Sequence, residues 1–194
     1  MQINWYPGHM AKAKREMERM IKVSDVAVEI VDARAPLSTR NPDLDKMLGA
    51  KPRVIILNKE DLADNNLTRA WQQYFSDRGW NAVSFCAKKQ GGREKLLHAI
   101  QRAAQPLIDR WAQKGANKIV RVMVSGIPNV GKSSIINCLS GGQRAKTGAT
   151  PGVTRGKQWV RLSPTLELLD TPGILWPKLE DEQGAKRLAF LNAI

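Results

Sequence analysis

Two short runs in this 194-residue chain have the residue types and spacing to hold a nucleotide. In Gly126-Ile127-Pro128-Asn129-Val130-Gly131-Lys132-Ser133, glycine lets the backbone come close enough for successive N–H groups to surround phosphate oxygens. The helix expected to follow presents its positive end to the same charge. Lys132 would reach the β- and γ-phosphates, the Ser133 hydroxyl would ligate Mg²⁺, and the backbone of Asn129, Val130, Gly131 and Ser134 would complete the cradle. In Asn58-Lys59-Glu60-Asp61, the Asp61 carboxylate can accept from both N1–H and the 2-amino group of guanine, donors that adenine does not offer in that arrangement. Asn58 would meet the other edge of the base, and Lys59 would pack its stem over the nucleotide. Alone, the first run means only a nucleoside triphosphate, and the second reads equally well as a surface turn after a strand.

Further motifs remove the ambiguity, and their order is unusual. Cys86-Ala87-Lys88 resembles the short Ser-Ala-Lys segment that borders a guanine base, Thr154 has the place of a switch threonine, and Asp170-Thr171-Pro172-Gly173 is an Asp-x-x-Gly motif. An ordinary G domain runs phosphate loop, switch threonine, Asp-x-x-Gly, base motif and last the Ser-Ala-Lys segment. Here the last two come first, which is the order of a circularly permuted P-loop GTPase domain. Asp170 would hold a metal-bound water, Thr154 would close over Mg²⁺ when the γ-phosphate is present, and the Gly173 N–H would bond that phosphate. Release of both segments on hydrolysis would be the switch.

These residues need a scaffold that brings strand ends together, and the pattern supplies one. Val26 to Val31, Arg53 to Leu57, Ala82 to Phe85 and Ile119 to Val124 read as strands, with helices over Thr68 to Arg78, Arg93 to Trp111 and Ser134 to Leu139. Lys157 to Leu162 and Leu166 to Leu169 read as a hairpin. Alternating strands and helices specify an α/β fold, a doubly wound and mainly parallel sheet whose ligands bind beyond the carboxyl ends of the strands. Pro7 to Val23 reads as an N-terminal helix with Met10, Ala13, Met17, Met20 and Ile21 on one face and Lys12, Lys14, Arg15, Arg19 and Lys22 elsewhere. We divide the chain into a basic arm and helix (1–24), the permuted G domain (25–178) and a helical segment (179–194). Arg110 to Lys118 forms a basic connector where the two ends of an unpermuted chain would lie.

Composition bounds the function class. The 31 Lys and Arg exceed the 18 Asp and Glu by 13 charges, an excess that nucleotide binding alone does not need and that suggests RNA, DNA or an anionic surface. From Gly142 to Arg161 the chain carries Arg144, Lys146, Arg155, Lys157 and Arg161 with no acidic residue, although a solvated charged face has the same pattern. No apolar run reaches the ~20 residues of a membrane span and no cleavable signal opens the chain. Cys86 and Cys138 suit reduced thiols. A cytoplasmic monomer is expected. The six tryptophans form no stacking motif and are expected in core or interface packing, while His98 is expected to pack or to face solvent.

At this point the chain resembles the YlqF-type circularly permuted GTPases, the ribosome biogenesis GTPase A family. Trp5-Tyr6-Pro7-Gly8-His9-Met10, Val31-Asp32-Ala33-Arg34-Ala35-Pro36, the base motif, Gly126 to Ser134, Pro151-Gly152-Val153-Thr154, and Asp170 to Gly173 with Ile174-Leu175-Trp176-Pro177-Lys178 carry the resemblance. It implies a GTP-hydrolysing factor that binds a precursor of the large ribosomal subunit and its rRNA and acts late in assembly. It also implies a further C-terminal helical RNA-binding domain. This chain ends at Ile194, so we expect either a truncated chain or a member without that domain. Ile174 stands where Ras-like enzymes carry a water-orienting glutamine, and isoleucine cannot hydrogen-bond water. The resemblance therefore nominates two other groups: Asn129, like the asparagine that holds K⁺ in potassium-dependent GTPases, and His9, to position or activate water. Spacing alone reads Asn129 as a loop residue and His9 as part of a Pro-Gly turn before a helix.

Two other classes compete with a GTPase assembly factor. One is a GTP-gated RNA- or ribosome-binding module whose hydrolysis only resets binding. The other is an RNA-modifying or remodelling NTPase, for which the chain offers no cofactor motif, catalytic cysteine pair or helicase signature.

Overall fold

The computed structural model describes residues 7–86, 91–141, 159–169 and 182–191, without the side chains of 7–13, 182, 184 and 185. Six strands form one sheet: β1 (Val26–Asp32), β2 (Arg53–Asn58), β3 (Asn81–Phe85), β4 (Val120–Ser125), β5 (Trp159–Ser163) and β6 (Leu166–Leu169). Their spatial order is β3-β2-β1-β4-β6-β5. All neighbours are parallel except β5, which runs antiparallel to β6 at the edge. The hairpin turns at Ser163-Pro164-Thr165 as expected from the sequence.

Every residue of β1 and β2 is buried, as a parallel sheet with both faces covered requires. Alternate residues divide between the faces. Val26, Val28, Ile30, Val54, Ile56, Val122 and Val124 meet α4 (Arg93–Ala112) and α5 (Lys132–Leu139) through Leu96, Ile100, Ile135 and Leu139. On the other face Ala27 and Met123 meet Met17, Met20 and Ile21 of α1 (Pro7–Val23) and Leu44 and Leu48 of α2 (Pro42–Leu48). Val31, Ile55 and Leu57 pack on Phe75 of α3 (Asn65–Ser76). The last helix, α6 (Glu182–Phe190), places Leu188 in the first of these clusters.

Boundaries differ from the sequence reading for identifiable reasons. α3 begins at Asn65 rather than Thr68 because Asp64 caps it, its carboxylate accepting from the N–H groups of Asn66 and Leu67. It ends two residues before Arg78. α5 begins at Lys132, two residues earlier than expected, with Gly131 as its N-cap. α1 begins at Pro7, so His9 lies within the helix and not in a turn before it; proline suits a first helical position because its missing N–H would be unpaired there anyway. α2 was not anticipated. Asn41 caps it through Asp43 N–H, and Pro42 opens it.

Tryptophan packing holds for Trp71 and Trp80, half-buried residues that stack on Phe75 with ring centroids 6.1 and 6.0 Å away. Trp111, by contrast, is exposed. Trp5 and Trp176 lie outside the described residues. Among the described residues no helix is long and apolar enough to cross a membrane.

Candidate nucleotide-binding site

The parallel sheet delivers three strand ends to one edge. β1 ends at Asp32 and β2 at Asn58, which are register partners, while β4 ends at Ser125 and turns directly into Gly126. The two motifs lie far apart in sequence, yet hydrogen bonds join them. Asn58 Nδ2 donates to the Val130 carbonyl at 2.7 Å, and Lys59 Nζ donates to the Asn129 carbonyl at 2.7 Å. The inverted order along the chain is thus compatible with the usual adjacency in space.

Close approach explains the glycines. A Cβ on Gly131 would lie 2.2 Å from Asn58 Nδ2, and the residue's φ of +93° is left-handed as well. A Cβ on Gly126 would press on the Val130 side chain at 3.0 Å and the Ile30 carbonyl at 3.1 Å. Gly131 offers no side chain to cap α5, so the N–H groups of the helix's first turn, which have no intrahelical partner, can serve an anion.

Asn58 is 2% exposed, and its Oδ1 is buried with no hydrogen-bond partner among the described residues. One hydrogen of its amide nitrogen is committed to Val130, and the carbonyl end is open to a ligand's donor. A buried acceptor without a partner costs about 1–3 kcal/mol, and a bound molecule that donates to it would recover that cost. Asp61 is exposed in the single 3-10 turn Glu60–Leu62 that follows Lys59. Cys86 is buried at the end of β3. Lys132 is half-buried, and Ser133 and Ser134 are exposed in the first turn of α5.

Sequence reasoning quoted Asp32 within a run that carries the resemblance but gave no role to its carboxylate, which underlies this edge. Asp32, 1% exposed, holds Arg34 through two side-chain bonds of 2.8 and 2.7 Å and lies 3.0 Å from Lys59 Nζ. Burial opposes its charge, but hydrogen bonds from Arg34 and Lys59 outweigh that and hold its pKa below the ordinary carboxylate value. The available signal was positional: an acid at the carboxyl end of a strand, in line with Asn58.

Several expected site residues cannot be placed against this edge. Ala87, Lys88, Thr154, Asp170 and Gly173 lie outside the described residues, as does most of the basic stretch from Gly142 to Arg161. For His9 only the helical backbone is described. His98 is on the exposed side of α4, in a groove with Trp80, Lys95 and Arg102 along the first residues of β3, away from the nucleotide edge.

Comparison with known proteins agrees with the motif order. The family described as 50S ribosome-binding GTPase matches residues 121–193, beginning in the phosphate-loop strand in mid-chain. The ribosome biogenesis GTPase A of Bacillus cereus is 46% identical, across all of this chain and 66% of that protein. That of Priestia megaterium is 45% identical over all of this chain and 68% of its own length. The chain belongs to the ribosome biogenesis GTPase A family. It spans about two thirds of the length of these relatives. Among solved structures, GNP-bound YlqF from T. maritima superposes with a TM-score of 0.71 at 32% identity, covering 94% of this chain and 66% of that one. Family membership accords with the six-stranded, mainly parallel GTPase sheet and with the junction of base motif and phosphate loop in the fold.

Proposed function

We propose that this chain binds GTP, hydrolyses it to GDP and phosphate, and couples the two nucleotide states to late maturation of the large ribosomal subunit. The observation that carries the reading is the junction of the two motifs: Asn58 and Lys59 bonded to the carbonyls of Val130 and Asn129. Only a ligand with a base at one end and phosphates at the other uses both. Asp61 selects guanine, with Asn58 and the Cys86-Ala87-Lys88 segment around the base. The loop through Gly131 and the Lys132 ammonium hold the phosphates.

Chemistry at such a site is mainly positioning and charge neutralisation. Ser133, Thr154 and Asp170 are the residues that would serve Mg²⁺, which neutralises charge on the β- and γ-phosphates when bound. Gly173 would follow the γ-phosphate. Since Ile174 cannot orient water, Asn129 is the residue that would hold an activating K⁺, and His9 the group that would position the attacking water. Asn129 has a left-handed φ of 63°, which places its backbone in a conformation that asparagine tolerates better than most residues. The relatives' names, together with the basic charge, support the large subunit and its rRNA as partner. The first and last segments, 1–24 and 179–194, then flank a G domain of residues 25–178.

GTP turnover measured with separate ribosomal subunits, in K⁺ and in Na⁺, tests the proposal. Stimulation by the large subunit and a lower rate in Na⁺ are expected, and Asn129→Ala should abolish the salt difference. GTP binding with no hydrolysis in any mixture would leave the nucleotide-gated binding module as the better reading.

A further inference from the structure

Asp32 has no part in the catalytic scheme above, yet its carboxylate is held on both oxygens at the nucleotide edge. Its backbone N–H donates to Thr39 Oγ1 at 2.9 Å, fixing the end of β1. Its Oδ1 accepts from the Arg34 N–H at 3.1 Å and from Arg34 Nε at 2.8 Å, while Oδ2 accepts from Arg34 Nη2 at 2.7 Å and faces Lys59 Nζ at 3.0 Å. The same ammonium donates to the Asn129 carbonyl at 2.7 Å. A single lysine nitrogen therefore joins β1, the base-reading turn and the phosphate loop.

Backbone conformation shows why that bridge matters. Among the described residues only Lys59, with φ 61°, and Asn129, with φ 63°, are left-handed without being glycine, and the bridge runs from the side chain of one to the carbonyl of the other. Such conformations cost about 1–3 kcal/mol each and persist only where the surroundings over-determine them. A lysine side chain is flexible and strongly hydrated, so its own carbonyl contact is a weak restraint unless a buried counter-charge holds the ammonium in place. Arg34 locks the orientation of that counter-charge through a two-point fork.

We propose that Asp32 is a positioning residue for the nucleotide. It fixes Lys59 Nζ between the two motifs, so that base-reading turn and phosphate loop keep the separation one nucleotide requires, with Arg34 holding the carboxylate in register. Asp32 itself does not touch the ligand. The inference rests on the nucleotide reading and adds to it a residue that acts through Lys59.

Dissociation of fluorescent (mant) GDP from the whole chain in Mg²⁺ buffer tests the idea. Asp32→Asn preserves volume and removes the charge, and it should raise the dissociation rate by about tenfold or more, the effect of losing a charge-assisted hydrogen bond. In turnover the same variant should raise KM for GTP by a larger factor than it lowers kcat. Because Asp32 works through Lys59, the double variant Asp32→Asn with Lys59→Met should release GDP no faster than Lys59→Met alone. A merely structural role would instead give additive effects. Arg34→Met should raise the rate in the same direction by less, and it decides the matter if Asp32→Asn does not fold. An unchanged dissociation rate in Asp32→Asn or in Arg34→Met, or additivity in the double variant, would overturn the proposal. Failure of the unaltered chain to retain mant-GDP is a different result, which would overturn the nucleotide reading together with it.

Discussion

At the scale of single residues, the proposed function assigns base choice to Asp61. Replacing its carboxylate with the amide of Asp61→Asn should lower GTP affinity by about 10²-fold, since the amide keeps one acceptor but sets a donor against the other base donor, and a hydrogen bond to a charged group is worth about 1.5–3 kcal/mol. Affinity for xanthosine triphosphate should rise, because the amide can donate to the 2-oxo group. Titration with both nucleotides measures the exchange, and an unchanged preference for GTP would remove Asp61 from the base site. Gly131 bears on the other end of the ligand. In Gly131→Ala the new methyl would meet Asn58 Nδ2 at 2.2 Å with φ at +93°, so nucleotide binding should be lost and stability should fall by at least about 1 kcal/mol from the backbone alone. Calorimetric melting and mant-GDP titration check the two effects. The motif residues were legible because phosphate and guanine impose their own chemistry on sequence. Asp32 was not, because its importance arises from the register that sets it opposite Asn58, and a single sequence does not display register.

At the scale of elements, the sheet face covered by α1, α2 and α3 carries a partly buried ionic network that pins α2. Glu29 Oε2 accepts from Arg40 Nε and Nη2 at 3.0 and 2.8 Å, and its Oε1 accepts from the Asn41 N–H at 3.0 Å, just where Asn41 caps the helix. Arg40 and Arg53 both pair with Asp45, and their guanidinium groups lie 4.7 and 4.3 Å from the Trp80 ring centre. Arg40→Met would leave Glu29 as a buried charge without its partner and should cost about 3–5 kcal/mol, measurable by urea unfolding at neutral pH.

Acid should act on the network in two senses. For Asp45 burial favours the neutral form, but hydrogen bonds from Arg40 and Arg53 prevail, and its pKa is lowered from 3.8, as is that of Asp32. Both contribute stability that is present above the unfolded value and is lost as pH falls through the folded pKa. Glu29 is opposite: burial, partly offset by Arg40, raises its pKa above 4.5, so its contribution is present below 4.5 and is lost as pH rises through the folded value. The acid limb of the urea midpoint against pH should therefore be flatter in Asp45→Asn than in the native chain. β-branched runs made the strands legible in advance. The short α2 was missed because only Leu44 and Leu48 are buried along it, too few to display a period.

At the scale of the whole molecule, the excess of 13 positive charges should be visible in how salt affects the partner. We expect binding to large-subunit RNA to be tighter with a nonhydrolysable GTP analogue than with GDP and to weaken steeply as salt rises. Each phosphate contact removed by substituting a Lys or Arg between Gly142 and Arg161 should reduce the salt slope by about one. Sedimentation with purified subunits across a salt series, in each nucleotide state, measures both. Binding that ignores nucleotide and salt alike would separate the switch from the RNA.

The spatial order of the strands also divides the sheet by time of synthesis. β1, β2 and β3 with α4 occupy residues 26–112, and every strand from β4 onward begins after residue 119. Within the sheet the two groups of strands join where β4 lies beside β1, through Val26 to Glu29 against Val122 to Ser125. A growing chain thus completes its base-reading half while the phosphate loop is still unmade, the reverse of what an unpermuted G domain does. No early fragment can capture a nucleotide at both ends. Occupancy of the site is therefore evidence that translation has passed the central seam and that the late strands have docked onto the early ones.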